Sequence, residues 1–255
     1  MNNLIAPDEP SPARILRPQG VSDFLLAADH AGRLIPRALG TLGLDAVERR
    51  RHIAWDIGIA AVTEELAALL DATAVLQAYS RLVIDCNRAP GHPTSIPVIS
   101  ELTPIPCNEA LTDDERAVRR RAIFDPYHAA LTALIGHRVA AGRRTVLVAM
   151  HSFTPVFKGV ARAVEIGVLY HHETLLSRLM LDLLRAEGDL IVGANEPYAI
   201  TDDSDYTAPV HGEGRGLEHV EIEIRQDLIT NPGGQSAWAR RLARLLKEAN
   251  RRLQI

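Results

Sequence analysis

Residues 145–155 read TVLVAMHSFTP, an almost continuous apolar run that meets a histidine and then a polar turn stopped by proline. A run of this length without alternation predicts a strand covered on both faces, as in a parallel sheet flanked by helices. Ligands of such sheets gather beyond the carboxyl ends of the strands, which is where His151 stands. Residues 24–32 (FLLAADHAG) repeat the plan, with a strand over about residues 23–28 followed by Asp29, His30 and a glycine turn. Two strands thus bring two histidines to one sheet edge.

The remaining pattern alternates strands with helices. Residues 1–20 are polar and punctuated by prolines, which suits an arm on the surface, and residues 21–255 are expected to form a single domain. Apolar residues at helical spacing (Ile59, Val62, Leu66, Leu69) predict an amphipathic helix over 53–70. TAVLQAY and RLVID then read as a strand pair with Ser80 and Arg81 at the junction. The pattern lapses into a proline-rich loop over 86–111, long enough to suggest a functional segment. Thr112 and Glu115 form a capping box that opens the next helix; Asp125 and Pro126 break and restart it, and Gly142 ends it. A strand at 163–170, a helix near 175–186, a strand at 190–192 and a second long loop over 193–216 follow. The strand HVEIEIRQD leads through NPGG into a closing helix with Trp238, Leu242, Leu245, Ala249 and Leu253 on one stripe. This order predicts an α/β three-layer sandwich: a mixed, mostly parallel sheet with helices on both faces.

Composition narrows the partners. With 255 residues, a net charge of −4 and basic residues spread along the chain, there is no nucleic-acid footprint. Cys86 and Cys107 form no CxxC pattern, as suits a reducing compartment. The N-terminal stretch lacks a secretory core and no run is long enough to span a membrane, so a cytoplasmic protein acting on a small molecule is expected; its oligomeric state is not set by the sequence.

His30 and His151 suggest a metal site, and catalytic zinc ordinarily has three protein ligands. Asp56 is the candidate third ligand, placed on the inward face of the helix from Ile53, although a carboxylate there could instead complement the helix N-terminus. His52, four residues earlier, is a reserve ligand. In YSRLVIDCNRAP, the residues Arg81, Asp85, Asn87 and Arg88 suit the grip of an acidic substrate, or else a structural clamp between Arg88 and Asp85. In HVEIEIRQD, Glu221, Glu223 and Arg225 share one face, which reads first as a solvated edge. Turned toward a metal, one glutamate would act as general base and Arg225 would hold it or stabilise developing charge. Glu196, His211 and His128 are weaker candidates for supporting roles. No GxGxxG, Walker A, HExxH or GxSxG motif is present.

The segments DHAGRLIP, HIAWDIGIA, YSRLVIDCNRAP, AMHSFTP, NEPY and HGEGRGLEHVEIEIRQDL, taken together and in this order, resemble the N-formylglutamate amidohydrolase family. The resemblance implies the phosphorylase/hydrolase-like fold of zinc carboxypeptidases and aspartoacylase-like deacylases. It also implies His30 and His151 as ligands of Zn2+ or another divalent metal, and Asn87 with Arg88 as a clamp on a substrate carboxylate. It favours Glu223 over Glu221 as catalytic acid/base. One departure stands out: Arg33 occupies the position of the glutamate in the carboxypeptidase HxxE motif, which leaves Asp56 to supply the acid.

The implied activity is metal-dependent hydrolysis of a small acidic N-acyl amino acid, N-formyl-L-glutamate above all, in histidine degradation. A deacylase or carboxypeptidase-like enzyme for another acyl group is the alternative within enzymes. A dicarboxylate-binding protein that has lost metal is the alternative outside them.

Overall fold

The computed structural model describes residues 4–201 and 205–254. In chain order the elements are β1 (Ala13–Leu16), β2 (Phe24–Ala28), α1 (Ile59–Leu70), β3 (Thr73–Gln77), β4 (Ile99–Ser100), β5 (Thr103–Pro104), α2 (Asp113–Arg119) and α3 (Asp125–Ala140). They continue with β6 (Val146–Phe153), β7 (Val156–Phe157), β8 (Val160–Ala161), β9 (Ile166–Leu169), α4 (Leu175–Glu187), β10 (Val192–Ala194), β11 (Glu218–Arg225) and α5 (Pro232–Arg252).

Seven strands form one sheet in the order β1-β3-β2-β6-β11-β9-β10. The central run β3-β2-β6-β11 is parallel, β1 and β9 join it antiparallel, and β10 runs parallel to β9. Alternation along the strands builds a core on each face. Leu26, Val148 and Ile222 pack with Leu66 of α1, Leu184 of α4 and Leu242 of α5. Leu25, Val75 and Leu147 point the other way, onto Ile123, Tyr127, Leu131 and Ile135. The result is the expected mixed, mostly parallel three-layer α/β sandwich. Burial on both faces explains why β2 and β6 show no polar alternation.

Several segments depart from the sequence pattern. Ala13–Leu16, within the expected arm, is an edge strand paired with β3, and residues 1–3 of that arm lie outside the described residues. The helix expected from Ile53 begins only at Ile59, because residues 53–57 are turns and Gly58 takes φ 84°. A side chain at Gly58 would in addition press within 2.2 Å of the Ile229 carbonyl. RLVID is not a strand. Ser80 bonds the Ala54 carbonyl, Val83 N–H returns to the Ser80 carbonyl, and Leu82, Val83 and Ile84 are buried by side-chain packing. The strand expected at 190–192 is shifted to Val192–Ala194. The helix broken at Asp125 and Pro126 in fact runs on from α2 to α3 through a π-helical turn at Arg120–Phe124. The 86–111 loop carries the β4–β5 hairpin and is tied down by buried Asn108, which donates to the Leu82 and Pro97 carbonyls and accepts from Arg119.

Candidate active site

A cavity of about 490 Å³ opens at the carboxyl ends of β2, β6 and β11, within the size range of small-molecule sites. His30 enters it from the turn after β2. His151 comes from β6, beside Glu223 of β11 in parallel register. Asp56 comes from the turn before α1, its N–H donating to the His30 carbonyl (2.9 Å). One ligand atom from each of His30, Asp56 and His151 lies within 4.8 Å of the others. Asp56 Oδ2 is 3.0 Å from His151 Nδ1 and 3.6 Å from His30 Nδ1, and it accepts the Ser152 N–H at 3.1 Å. The inward aim of Asp56 therefore comes from the His30 and Ser152 backbone and not from a helix face.

Carboxylates behind the imidazoles fix their orientation. His30 Nε2 donates to Asp85 Oδ1 at 2.7 Å, which turns Nδ1 toward Asp56. Asp29 Oδ2 stands 3.3 Å from His151 Nε2, with Glu221 Oε2 at 3.9 Å, and Thr207 Oγ1 donates to Asp29 Oδ1. This is the carboxylate–histidine arrangement that sets tautomer and basicity at metal centres. Burial alone would raise Asp56 and disfavour charge on His30 and His151. The mutual charges instead hold Asp56 below its ordinary range and raise both histidines. Asp29 is lowered to about 2 by its hydrogen bond and charge interaction with His151, against the effect of burial.

Glu221 and Glu223 correct the solvated-edge reading. They are 2% and 6% exposed, because β9 pairs along the outer side of β11 and the charged face is turned into the cavity. Burial first, then neighbouring carboxylates, pushes both up to about 8. Gly167 lies opposite Glu223 across the β9–β11 pair. A Cβ there would stand 2.1 Å from the Glu196 carbonyl, so its absence lets the segment carrying Tyr198 and Ala199 pass close and complete the cavity wall.

The arginines divide. Arg81 lines the cavity, bonded to Asp85 Oδ2 (2.7 Å) and 3.5 Å from Asp56 Oδ1. The clamp on Asp85 is thus made by Arg81, four residues before it, and not by Arg88. Arg88 also lines the cavity, and its guanidinium meets Asp205 Oδ1 at 3.3 Å. Asn87 spends its amide on the chain itself: Nδ2 donates to Asp205, and Oδ1 accepts the Tyr206 and Thr207 N–H groups. Asn87 nevertheless lines the cavity beside Arg88.

Arg225 is likewise no catalytic group. Its guanidinium is bound to Asp227 and to the carbonyls of Arg162, Ala163 and Val164, and it does not line the cavity. His52 lines the cavity 3.5 Å from Glu101, apart from the Asp56 cluster, since without a helix at 52–56 the four-residue spacing does not align them. Glu196 sets its carbonyl against Gly167 and does not line the cavity. His128 and His211 are bonded to each other outside the cavity at 2.9 Å. Arg33 lies over the Trp55 ring and takes no part. Sequence reasoning assigned no role to Asp29 or Asp205. The adjacency of Asp29 to His30 was the only signal for the first, and Asp205 reaches Asn87 across 118 residues.

A model of N-formylglutamate amidohydrolase matches residues 22–230. The chain belongs to the N-formylglutamate amidohydrolase family. A gene product of Agrobacterium tumefaciens has a crystal structure with TM-score 0.95 and 41% identity, over 99% of this chain and 100% of that one. An N-formylglutamate amidohydrolase from Ralstonia eutropha superposes with TM-score 0.71 at 23% identity, over 96% of this chain and 100% of that one, a likeness of fold. No curated protein sequence matches the chain. As a member of the N-formylglutamate amidohydrolase family the protein is a hydrolase acting on an amide bond. Among the described residues no helix is long and apolar enough to cross a membrane.

The residues at the cluster suit a divalent cation. Glu221 Oε2 and Glu223 Oε2, both from residues of the cavity lining, are buried without a hydrogen-bond partner, and each such group ordinarily costs about 1–3 kcal/mol. Carboxylates of Asp29, Asp56, Asp85, Glu221 and Glu223 are gathered around the cluster with Arg81 as the nearest guanidinium. Imidazole and carboxylate are the donors zinc takes when sulfur is absent.

Proposed function

We propose that this family member is a metal-dependent amidohydrolase for a small acidic N-acyl amino acid. N-formyl-L-glutamate, cleaved to formate and L-glutamate, fits best. The observation that carries the reading is the convergence in one cavity of the His30, Asp56 and His151 cluster, the buried Glu221 and Glu223, and the guanidinium groups of Arg81 and Arg88. One Zn2+ or similar ion per chain would be held by His30, Asp56 and His151, and when bound would supply a Lewis acid at the scissile carbonyl and a more acidic water.

The chain's own groups do the rest. Glu223 takes the proton of the attacking water and returns it to the departing amine, a role that a carboxyl raised by burial suits. Glu221 and Asp29 flank His151 Nε2 and keep its ring in place. Arg81, braced by Asp85, and Arg88 receive the two substrate carboxylates. Thr94, Pro97, Ile99, Ser100 and Glu101, from the proline-rich segment, wall the cavity and limit its water. Under this reading the enzyme works in the cytoplasm on a histidine-degradation intermediate, with neither nucleic acid nor membrane as partner.

The test is formate release from N-formyl-L-glutamate by protein stripped with a chelator, by the same protein after Zn2+ is restored, and by His151→Ala. Activity should vanish on stripping, return with metal and stay low in the variant. Full activity of metal-free protein would end the metal reading. Turnover only of N-acyl amino acids without a second carboxylate would end the substrate reading.

A further inference from the structure

A second group of metal-type donors lies outside the cavity lining. His171 and His172 follow β9, and Glu213 opens a 3-10 turn at Glu213–Arg215. One ligand atom from each lies within 4.8 Å of the others. The two imidazoles present the same ring nitrogen to the same carboxylate: His171 Nδ1 is 3.1 Å from Glu213 Oε2, and His172 Nδ1 is 2.6 Å from Oε1. Their rings meet edge to face at 4.2 Å. The carboxylate is further fixed by the His172 N–H at 3.0 Å, so its aim does not depend on the imidazoles alone.

We propose that His171, His172 and Glu213 form a second site, for a borderline transition-metal ion of the Zn2+, Ni2+ or Cu2+ class. Two imidazoles and a carboxylate are the donors such ions select, whereas Mg2+ and Ca2+ require oxygen cages. The His172 side chain is 76% exposed, so water can complete the coordination shell. In the metal-free state the Nδ1 protons face the carboxylate. For the ion to enter, each ring passes that proton to its Nε2, which leaves Nδ1 as the coordinating nitrogen. The ion would pin the link between β9 and α4 to the turn that precedes β11. Because Leu169, two residues before His171, lines the cavity, the pin would brace one wall of the hydrolytic site from outside.

The experiment uses His151→Ala as background, which disables the buried cluster and leaves this site intact. Titration calorimetry with Ni2+ and with Zn2+ should show one equivalent bound, with a rise in melting temperature. Adding His172→Ala, or separately Glu213→Gln, should weaken that equivalent by more than the roughly 10–100-fold that loss of an outer-shell partner costs. Glu213→Gln keeps one acceptor oxygen for the His172 N–H and replaces the other with an amide NH2 at nearly constant volume, and an unchanged metal-free melting temperature in that variant separates ligand loss from misfolding. If the His151→Ala protein takes up no ion, or takes it up with the same affinity in both added variants, the contact is a histidine–carboxylate hydrogen bond only and the proposal fails.

Discussion

Replacing His211 with glutamine should flatten the acid limb of this protein's stability. His128 Nε2 faces the Cys86 carbonyl at 2.8 Å, which can only accept, so that nitrogen carries the proton. In a neutral His128 ring, Nδ1 is then the acceptor, and His211 Nε2 must donate to it across 2.9 Å. His211 Nδ1 is left without a proton and without a hydrogen-bond partner, in a buried position. A proton added to it has no acceptor. Burial, the His128 ring and the charge of Arg215 accordingly lower His211 from 6.5 to about 4. The folded pKa lies below the unfolded one, so the contribution to stability is complete above about pH 6.5 and is lost as pH falls through about 4. The whole window is worth roughly 3 kcal/mol, of which about 2 kcal/mol falls between about pH 7.5 and pH 5. Glu221 and Glu223, raised to about 8, act in the opposite direction over the same range, so the informative quantity is the difference between two proteins. Glutamine keeps an N–H donor for His128 but cannot titrate. Urea denaturation at the two pH values should find His211→Gln less stable near pH 7.5, with the gap closing by about 2 kcal/mol near pH 5. If both proteins lose stability in parallel, His211 is not held neutral and the hydrogen-bond assignment is wrong.

Asp85→Asn removes the anionic partner of His30 Nε2 and of Arg81; metal affinity by calorimetry should fall about 10–100-fold. Glu223→Gln should lower kcat by roughly 100-fold or more with little change in KM, whereas Glu221→Gln should act chiefly on metal affinity. Equal kcat losses in the two variants would undo the division of roles. Asp205→Asn relieves Arg88 of its internal carboxylate and should lower KM for a dicarboxylate substrate, and Arg88→Ala should raise it with kcat less affected. Gly167→Ala places a methyl against the Glu196 carbonyl and should cost about 1–3 kcal/mol in urea denaturation together with activity; a variant of unchanged stability would show that this crossing is loose.

Much of this architecture is legible in the sequence because burial imposes a pattern. β2 and β6 are apolar throughout since helices cover both faces, and their ends locate His30 and His151 without a template. The stripe on α5 and the capping box at Thr112 are local signals that tertiary context left intact. Elsewhere packing overrode pattern. RLVID has strand composition, yet its apolar side chains are buried from a turn whose backbone bonds run to Ser80 and Ala54. Asp56 was placed correctly beside the histidines by an incorrect route, because helical periodicity extended past Gly58 predicts the inward face, whereas the His30 carbonyl and the Ser152 N–H are what hold it there.

The polar residues show why a site is harder to read than a core. Glu221, Glu223 and Arg225 are equivalent in pattern, being alternate residues of one strand. The two glutamates turn inward where β9 pairs along β11, while Arg225 lies at the end of the strand and is taken up by Asp227 and the 162–164 carbonyls. Asn87 and Arg88 are adjacent in sequence, share one expected role and both line the cavity, but the Asn87 amide is also committed to the Tyr206 and Thr207 N–H groups. In each case a deciding partner is remote: Asp205 from Asn87, the 162–164 carbonyls from Arg225, Asp29 from His151. An apolar side chain needs only to be removed from water, so the period of its own strand or helix is nearly sufficient to place it. A carboxylate or guanidinium must in addition find a partner of opposite character, and that partner is fixed only by the topology that joins distant loops at the sheet edge.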